Sequence, residues 1–155
     1  MEKLNVCVIF GGVSSEHEIS KISAATVIDS LDTAKYNIHK IFIDTEGNWI
    51  YFDKPTSEIS TLPAGEYDKA IISPSRGDKG LLRFKNNGDI ENIKTDVIIP
   101  VLHGKNGEDG TIQGLLEIMR VPYVGCRVLG SAVCMDKAIT KGLLKEAAIE
   151  QVPWI

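Results

Sequence analysis

Residues 4–10 form a mostly apolar run rich in β-branched side chains, too short for a helix and closed by Gly11-Gly12. Such a run is expected to be a buried strand of a parallel sheet. Ser15-Glu16-His17-Glu18 then carries the Ser-x-x-Glu spacing of a capping box. Ile19, Ile22, Ala25, Val27, Ile28 and Leu31 continue it as the apolar face of a helix. A second strand over residues 37–43 completes a strand–helix–strand unit, for which a right-handed crossover is expected.

From residue 44 to 95 the pattern loosens. Residues 48–52 predict a short strand, and 81–84 with 89–93 predict a hairpin turning at Asn86-Asn87-Gly88. The stretch between them carries Pro55, Pro63 and Pro74 among Ser, Thr and Gly. It is expected to be surface loop and short elements, an excursion from the sheet or a face for a partner subunit. Alternation returns with an apolar strand over 96–102 that ends at His103-Gly104. A polar loop over 105–110 precedes a helix over 111–119, and Gly125 closes a short strand over 121–124. Residues 131–135 give a helical turn, and Asp136 caps a helix over 137–148. Alternating strands and helices specify an α/β domain with a mainly parallel sheet flanked by helices. Residues 151–155 start a further strand without a partner, so the chain is expected to be the front part of a longer one.

Composition narrows the function classes. With 155 residues, 43% apolar and 25% charged, the chain suits one globular domain rather than disorder or coiled coil. A net charge of -4 with interspersed signs leaves no basic stripe for nucleic acid. Cys7, Cys126 and Cys134 form no CxxC pair and leave one over from any disulfide, which argues against a cysteine metal site. Cys7 falls inside the first apolar run and is expected to pack as a small hydrophobe. With no signal-like leader and no apolar stretch of membrane-spanning length, a reducing cytoplasm is the expected setting.

Ligands of open α/β sheets collect beyond the carboxyl ends of the strands, where the loops 11–18 and 103–110 lie. The first loop lacks the GxGxxG spacing, no Gly-Lys-Ser/Thr follows, and carboxylates stand where a pyrophosphate needs bare amides. Its negative charge at a helix start suits a cationic group such as an amino acid's ammonium. The competing reading is that Glu16 and Glu18 only complement the helix dipole, at about 0.3–1 kcal/mol each. Glu18 is taken up by the capping box, and Glu16 remains available to a ligand. His103 ends a strand, where its imidazole is either structural or a donor to a carboxylate or acyl phosphate. Glu108 and Asp109 are expected to shape the turn. Lys137, after a capping Asp, is either solvated or a phosphate contact. On these grounds alone the chain is an α/β domain for a small polar ligand.

Three strings carry a resemblance: Val-Ile-Phe-Gly-Gly-Val-Ser-Ser-Glu-His-Glu-Ile-Ser, Leu-His-Gly-Lys-Asn-Gly-Glu-Asp-Gly-Thr-Ile-Gln-Gly, and Val-Gly-Cys with Ser-Ala-Val-Cys-Met-Asp-Lys. In this order they resemble the D-alanine–D-alanine ligase family of the ATP-grasp superfamily. The resemblance implies a Rossmann-like amino-terminal substrate domain over 1–135 and the truncated start of the central ATP-grasp lobe over 136–155. It implies that ATP phosphorylates the carboxylate of one D-alanine and that the amine of a second D-amino acid attacks the acyl phosphate, for peptidoglycan synthesis. Glu16 resembles the residue that holds the first D-alanine's ammonium, and His103 the one that contacts its carboxylate and steadies the acyl phosphate. Lys137 resembles a lysine that reaches the ATP phosphates. ATP and Mg2+ are the implied cofactors, with most of their contacts in lobes that this sequence does not include, so the fragment alone is expected to be inactive. A homodimer is implied as well. Gly-Lys-Asn-Gly and Val-Gly-Cys-Arg also resemble the D-alanine–D-serine ligases of vancomycin resistance. A non-catalytic dimerisation or ligand-binding module is the alternative from another class.

Overall fold

The computed structural model describes residues 2–62 and 65–153. The strands are β1 (Leu4–Gly11), β2 (Tyr36–Ile43), β3 (Trp49–Tyr51), β4 (Asp68–Ile72), β5 (Gly80–Phe84), β6 (Ile90–Lys94) and β7 (Val97–Leu102). The helices are α1 (His17–Ser30), α2 (Thr111–Met119), α3 (Val128–Met135) and α4 (Lys137–Glu146), with a short 3-10 helix at Thr56–Thr61. All seven strands share one sheet in the order β6-β5-β4-β3-β2-β1-β7.

The α/β class holds, and the parallel sheet is β2-β1-β7. β1 lies between two parallel neighbours and is covered on both faces, which explains why Val6 to Phe10 are all at most 1% exposed. Phe10, Val8 and Val6 pack with Phe42 and Phe52 under α1 and the 3-10 helix. On the opposite face Cys7, Ile9, Ile41 and Ile43 pack with Leu116 and Met119 of α2.

Beyond β2 the sheet continues as an antiparallel wing of β3, β4, β5 and β6. The β5–β6 hairpin pairs Phe84 with Ile90, as the turn residues require. The reading of 53–95 as an excursion from the sheet is corrected here, because this stretch builds β4, β5 and β6, three of the seven strands. β4 escaped the sequence pattern because its inward positions are only Ala70 and Ile72, while Ile71 between them is 44% exposed. Pro63 falls outside the described residues.

Three further expectations change. The strand over 121–124 is reduced to a single parallel bridge between Ile98 and Tyr123. Ile98 donates its N–H outward to the Pro122 carbonyl. Pro100, two residues on with the same orientation, has no N–H to continue the ladder. α1 starts without the capping box: Glu16 is the N-cap residue and no side chain caps the helix. The Glu18 carboxylate turns instead to Lys21, 3.1 Å away. The buried stripe of α1 is also more polar than expected, being His17, Ser20, Lys21, Ala24 and Ile28, while Ile19 and Ile22 are 53% and 66% exposed.

The cause of that polar stripe is backbone. The Ser20 hydroxyl accepts the Gly11 N–H and donates to the Val101 carbonyl, bridging the ends of β1 and β7. The Lys21 ammonium donates to the carbonyls of Ser60 and Leu62 and so holds the 3-10 segment. An isoleucine at either position would leave those groups unpaired.

α3 begins at Val128, earlier than expected, and α4 is capped by Asp136, whose carboxylate accepts the N–H groups of Ala138 and Ile139. No residue of α4 is buried. Residues 151–153 lie in no strand, and Trp154 and Ile155 of the expected terminal strand fall outside the described residues.

Candidate functional site

β1 ends at Gly11 and is followed by Gly12, both at positive φ (88° and 96°). A Cβ on Gly11 would lie 2.2 Å from the Ile43 carbonyl, so only glycine lets β1 leave the sheet this close to β2. The chain then folds back on itself. His17 uses Nδ1 to hold the Gly12 carbonyl at 2.8 Å, with its ring edge-on to Phe42. Ser14 Oγ accepts the N–H of Glu16 at 3.1 Å. These contacts put the exposed Glu16 carboxylate above the carboxyl end of β1.

The loop after β7 is held by its own acids. Glu108 Oε2 accepts the Gly104 N–H at 2.8 Å. Asp109 accepts the N–H groups of Asn106 and Thr111 at 2.8 and 3.0 Å, which starts α2 one residue after Gly110. Burial on its own would push the Asp109 carboxyl up, but these hydrogen bonds outweigh it and hold the group below the usual carboxylate range. Both residues therefore shape the turn, as expected. Gln113 adds a buried hydrogen bond to the Gly107 carbonyl at 2.8 Å.

The two loops meet at Gly104. A Cβ there would lie 2.8 Å from Glu16 Oε2 and 3.0 Å from Ser14 Oγ, so the Glu16 carboxylate rests across the residue next to His103. The half-buried His103 ring has Nε2 at 3.1 Å from Ser23 Oγ and Nδ1 at 4.0 Å from Glu108 Oε1. An open carboxylate and an imidazole thus stand together at the carboxyl ends of β1 and β7. This pair suits a zwitterion, with the carboxylate facing an ammonium and the imidazole facing an acid.

Lys137 comes from neither of these loops. It is the exposed first residue of α4 and lines a cleft of about 210 Å³ with Cys134, Thr140 and Lys141. Among the described residues no group of three His, Cys, Asp or Glu side chains could hold a metal ion. A groove of about 990 Å³ around Asp44, Trp49, Tyr67 and Lys69 contains neither Glu16 nor His103.

Ser14, His17 and Ser23 were not singled out in the sequence. Ser20 and Ser23 follow Glu16 at helical spacing and could have signalled a polar face, but the stronger apolar pattern pointed to Ile19 and Ile22.

Comparison with known proteins points to one family. A family model described as "D-ala D-ala ligase N-terminus" matches residues 5–126. The D-alanine–D-alanine ligase of Caldicellulosiruptor bescii is 46% identical over 153 residues, covering 99% of this chain and 41% of that protein. Among solved structures, the VanG D-Ala:D-Ser ligase of Enterococcus faecalis is 37% identical with a TM-score of 0.85, covering 95% of this chain and 43% of that one. The D-alanine–D-alanine ligase of Coxiella burnetii is 39% identical with a TM-score of 0.82, covering 95% and 42%. The chain therefore spans about two fifths of the length of the relatives it matches.

Proposed function

Since the chain belongs to the D-alanine–D-alanine ligase family, matching its amino-terminal part, we propose that it is the first-substrate lobe of a longer ATP-dependent ligase. In this reading residues 1–135 form the substrate domain and 136–155 begin the ATP-binding lobe. The exposed apolar side chains of α4, Ile139 and Leu143 at 52% and 54%, support that division because the described residues leave them uncovered.

The observation that carries the reading is the meeting of Glu16 with the His103–Gly104 turn at the carboxyl ends of β1 and β7. Glu16 binds the ammonium of the first D-alanine and so sets the direction in which its carboxylate points. His103 donates to that carboxylate and stabilises the negative charge that grows on it once it is activated. ATP supplies the phosphoryl group for this activation, and the amine of a second D-amino acid displaces it. Lys137, the exposed first residue of α4, would meet the ATP phosphates. Among the described residues no group of three His, Cys, Asp or Glu side chains could hold Mg2+. The reading extends to peptidoglycan synthesis in the cytoplasm and to a homodimer. No helix among the described residues is long and apolar enough to cross a membrane.

The structural likeness to the VanG D-Ala:D-Ser ligase favours D-serine as a second reading for the second substrate. The test is phosphate release and product identity in the longer protein with ATP, D-alanine and, in turn, D-alanine, D-serine or D-lactate as acceptor. The expected result is ATP-dependent dipeptide formation that requires D-alanine as the donor. Phosphate release independent of D-alanine would contradict the reading.

A further inference from the structure

The polar stripe of α1 extends beyond the strand ends it satisfies. Residues 16, 20 and 23 fall at helical spacing on one side of α1. Glu16 crosses Gly104, Ser20 bridges β1 and β7, and Ser23 Oγ lies 3.1 Å from Nε2 of His103. On the other side of the ring, Glu108 Oε1 is 4.0 Å from Nδ1, while Oε2 of the same carboxylate is held by the Gly104 N–H. A carboxylate beside Nδ1 favours the neutral tautomer with its proton there, which turns Nε2 into an acceptor. The Ser23 hydroxyl is the matching donor. At 4.0 Å, Glu108 is too far to accept the Nδ1–H directly, so that proton stays available to a ligand.

We propose that Ser23 is the positioning residue for His103, fixing the ring's orientation and its Nδ1–H tautomer so that Nδ1 is the nitrogen that donates to the first amino acid's carboxylate. The consequence for substrate rests on the reading of His103 given above, whereas the orientation and tautomer do not. The chain has three histidines, His17, His39 and His103. Their imidazole ¹⁵N resonances in the 155-residue chain, above the pH where imidazole is protonated, distinguish Nδ1–H from Nε2–H without any ligand.

The expected result is a single Nδ1–H tautomer at His103 that becomes a mixture in Ser23→Ala, with His17 and His39 unmoved as reporters of an intact fold. Ser23→Thr restores the single tautomer, and Ser23→Cys, close in volume but a weak donor, does not. If Ser23→Ala does not fold, the contrast between Thr and Cys carries the test. In the longer protein the KM for the first D-alanine rises roughly threefold to tenfold in Ser23→Ala, with the KM for ATP unchanged. An Nε2–H tautomer in the unsubstituted chain, or one that Ser23→Ala leaves in place, overturns the proposal. A tautomer that shifts while the D-alanine KM does not overturns the substrate role of His103 and leaves Ser23 as the residue that orients it.

Discussion

Gly104 has no side chain because Glu16 Oε2 would lie 2.8 Å from the Cβ of any other residue there, and its φ of +69° already disfavours one. Gly104→Ala should therefore displace the Glu16 carboxylate in addition to the roughly 1–2 kcal/mol that a left-handed alanine costs. Gly88 provides the control, since it also has positive φ (+94°) but nothing within 4 Å of its would-be Cβ. Both alanine variants should lower the unfolding midpoint, and only Gly104→Ala should also raise the KM for D-alanine in the longer protein. Equal KM effects would contradict the contact. That Glu16 and His103 lie at one edge of the sheet was legible in the sequence because each follows an apolar strand and a parallel sheet gathers such ends together, whereas the roles proposed for them come from the family resemblance. Ser23 was not legible, because its partner lies 80 residues away in sequence and becomes a neighbour only after folding.

Among the elements, α1 shows why helical periodicity gave the right helix and the wrong face. Its buried side must satisfy carbonyl and N–H groups at strand ends, so Ser20 and Lys21 are inside and Ile19 and Ile22 outside. β4 was missed because a five-residue strand with one covered face offers too few alternating positions to stand out among prolines. α2 was legible from its apolar face, but its link to α3 was not. Glu117 of α2 takes the Arg127 guanidinium through both carboxylate oxygens, at 2.8 and 2.9 Å, and the Tyr123 hydroxyl at 3.1 Å. These hydrogen bonds, Arg127 first, pull its carboxyl down from 4.5 to about 2. A lowered folded-state pKa means that the link contributes above the ordinary value of 4.5 and is lost as pH falls toward about 2. The Glu117 carboxyl ¹³C shift should titrate near 2, and in Arg127→Gln at a higher pH, still below the ordinary value while the Tyr123 hydroxyl donates to it. A midpoint near 4.5 in the unsubstituted chain would contradict the link.

At the scale of the whole molecule, the sheet has helices over its parallel part and an antiparallel wing whose outer face is less covered. Ile71 and Ile90 on that face are 44% and 62% exposed, which supports the proposed homodimer. Sedimentation should give about twice the 17.0 kDa mass of the chain, and a lower mass for the doubly substituted Ile71→Lys, Ile90→Lys chain. A monomer at every concentration would contradict it. The described chain brings Glu16 and the His103–Gly104 turn together, which fits a half-site that binds the first amino acid and depends on the rest of a longer protein to activate it. That claim is tested most directly by Glu16→Gln in the longer protein, with the KM values for D-alanine and ATP measured separately. A rise in the KM for the first D-alanine of roughly tenfold to a hundredfold, with the KM for ATP unchanged, is the predicted result. An unchanged D-alanine KM would contradict the account.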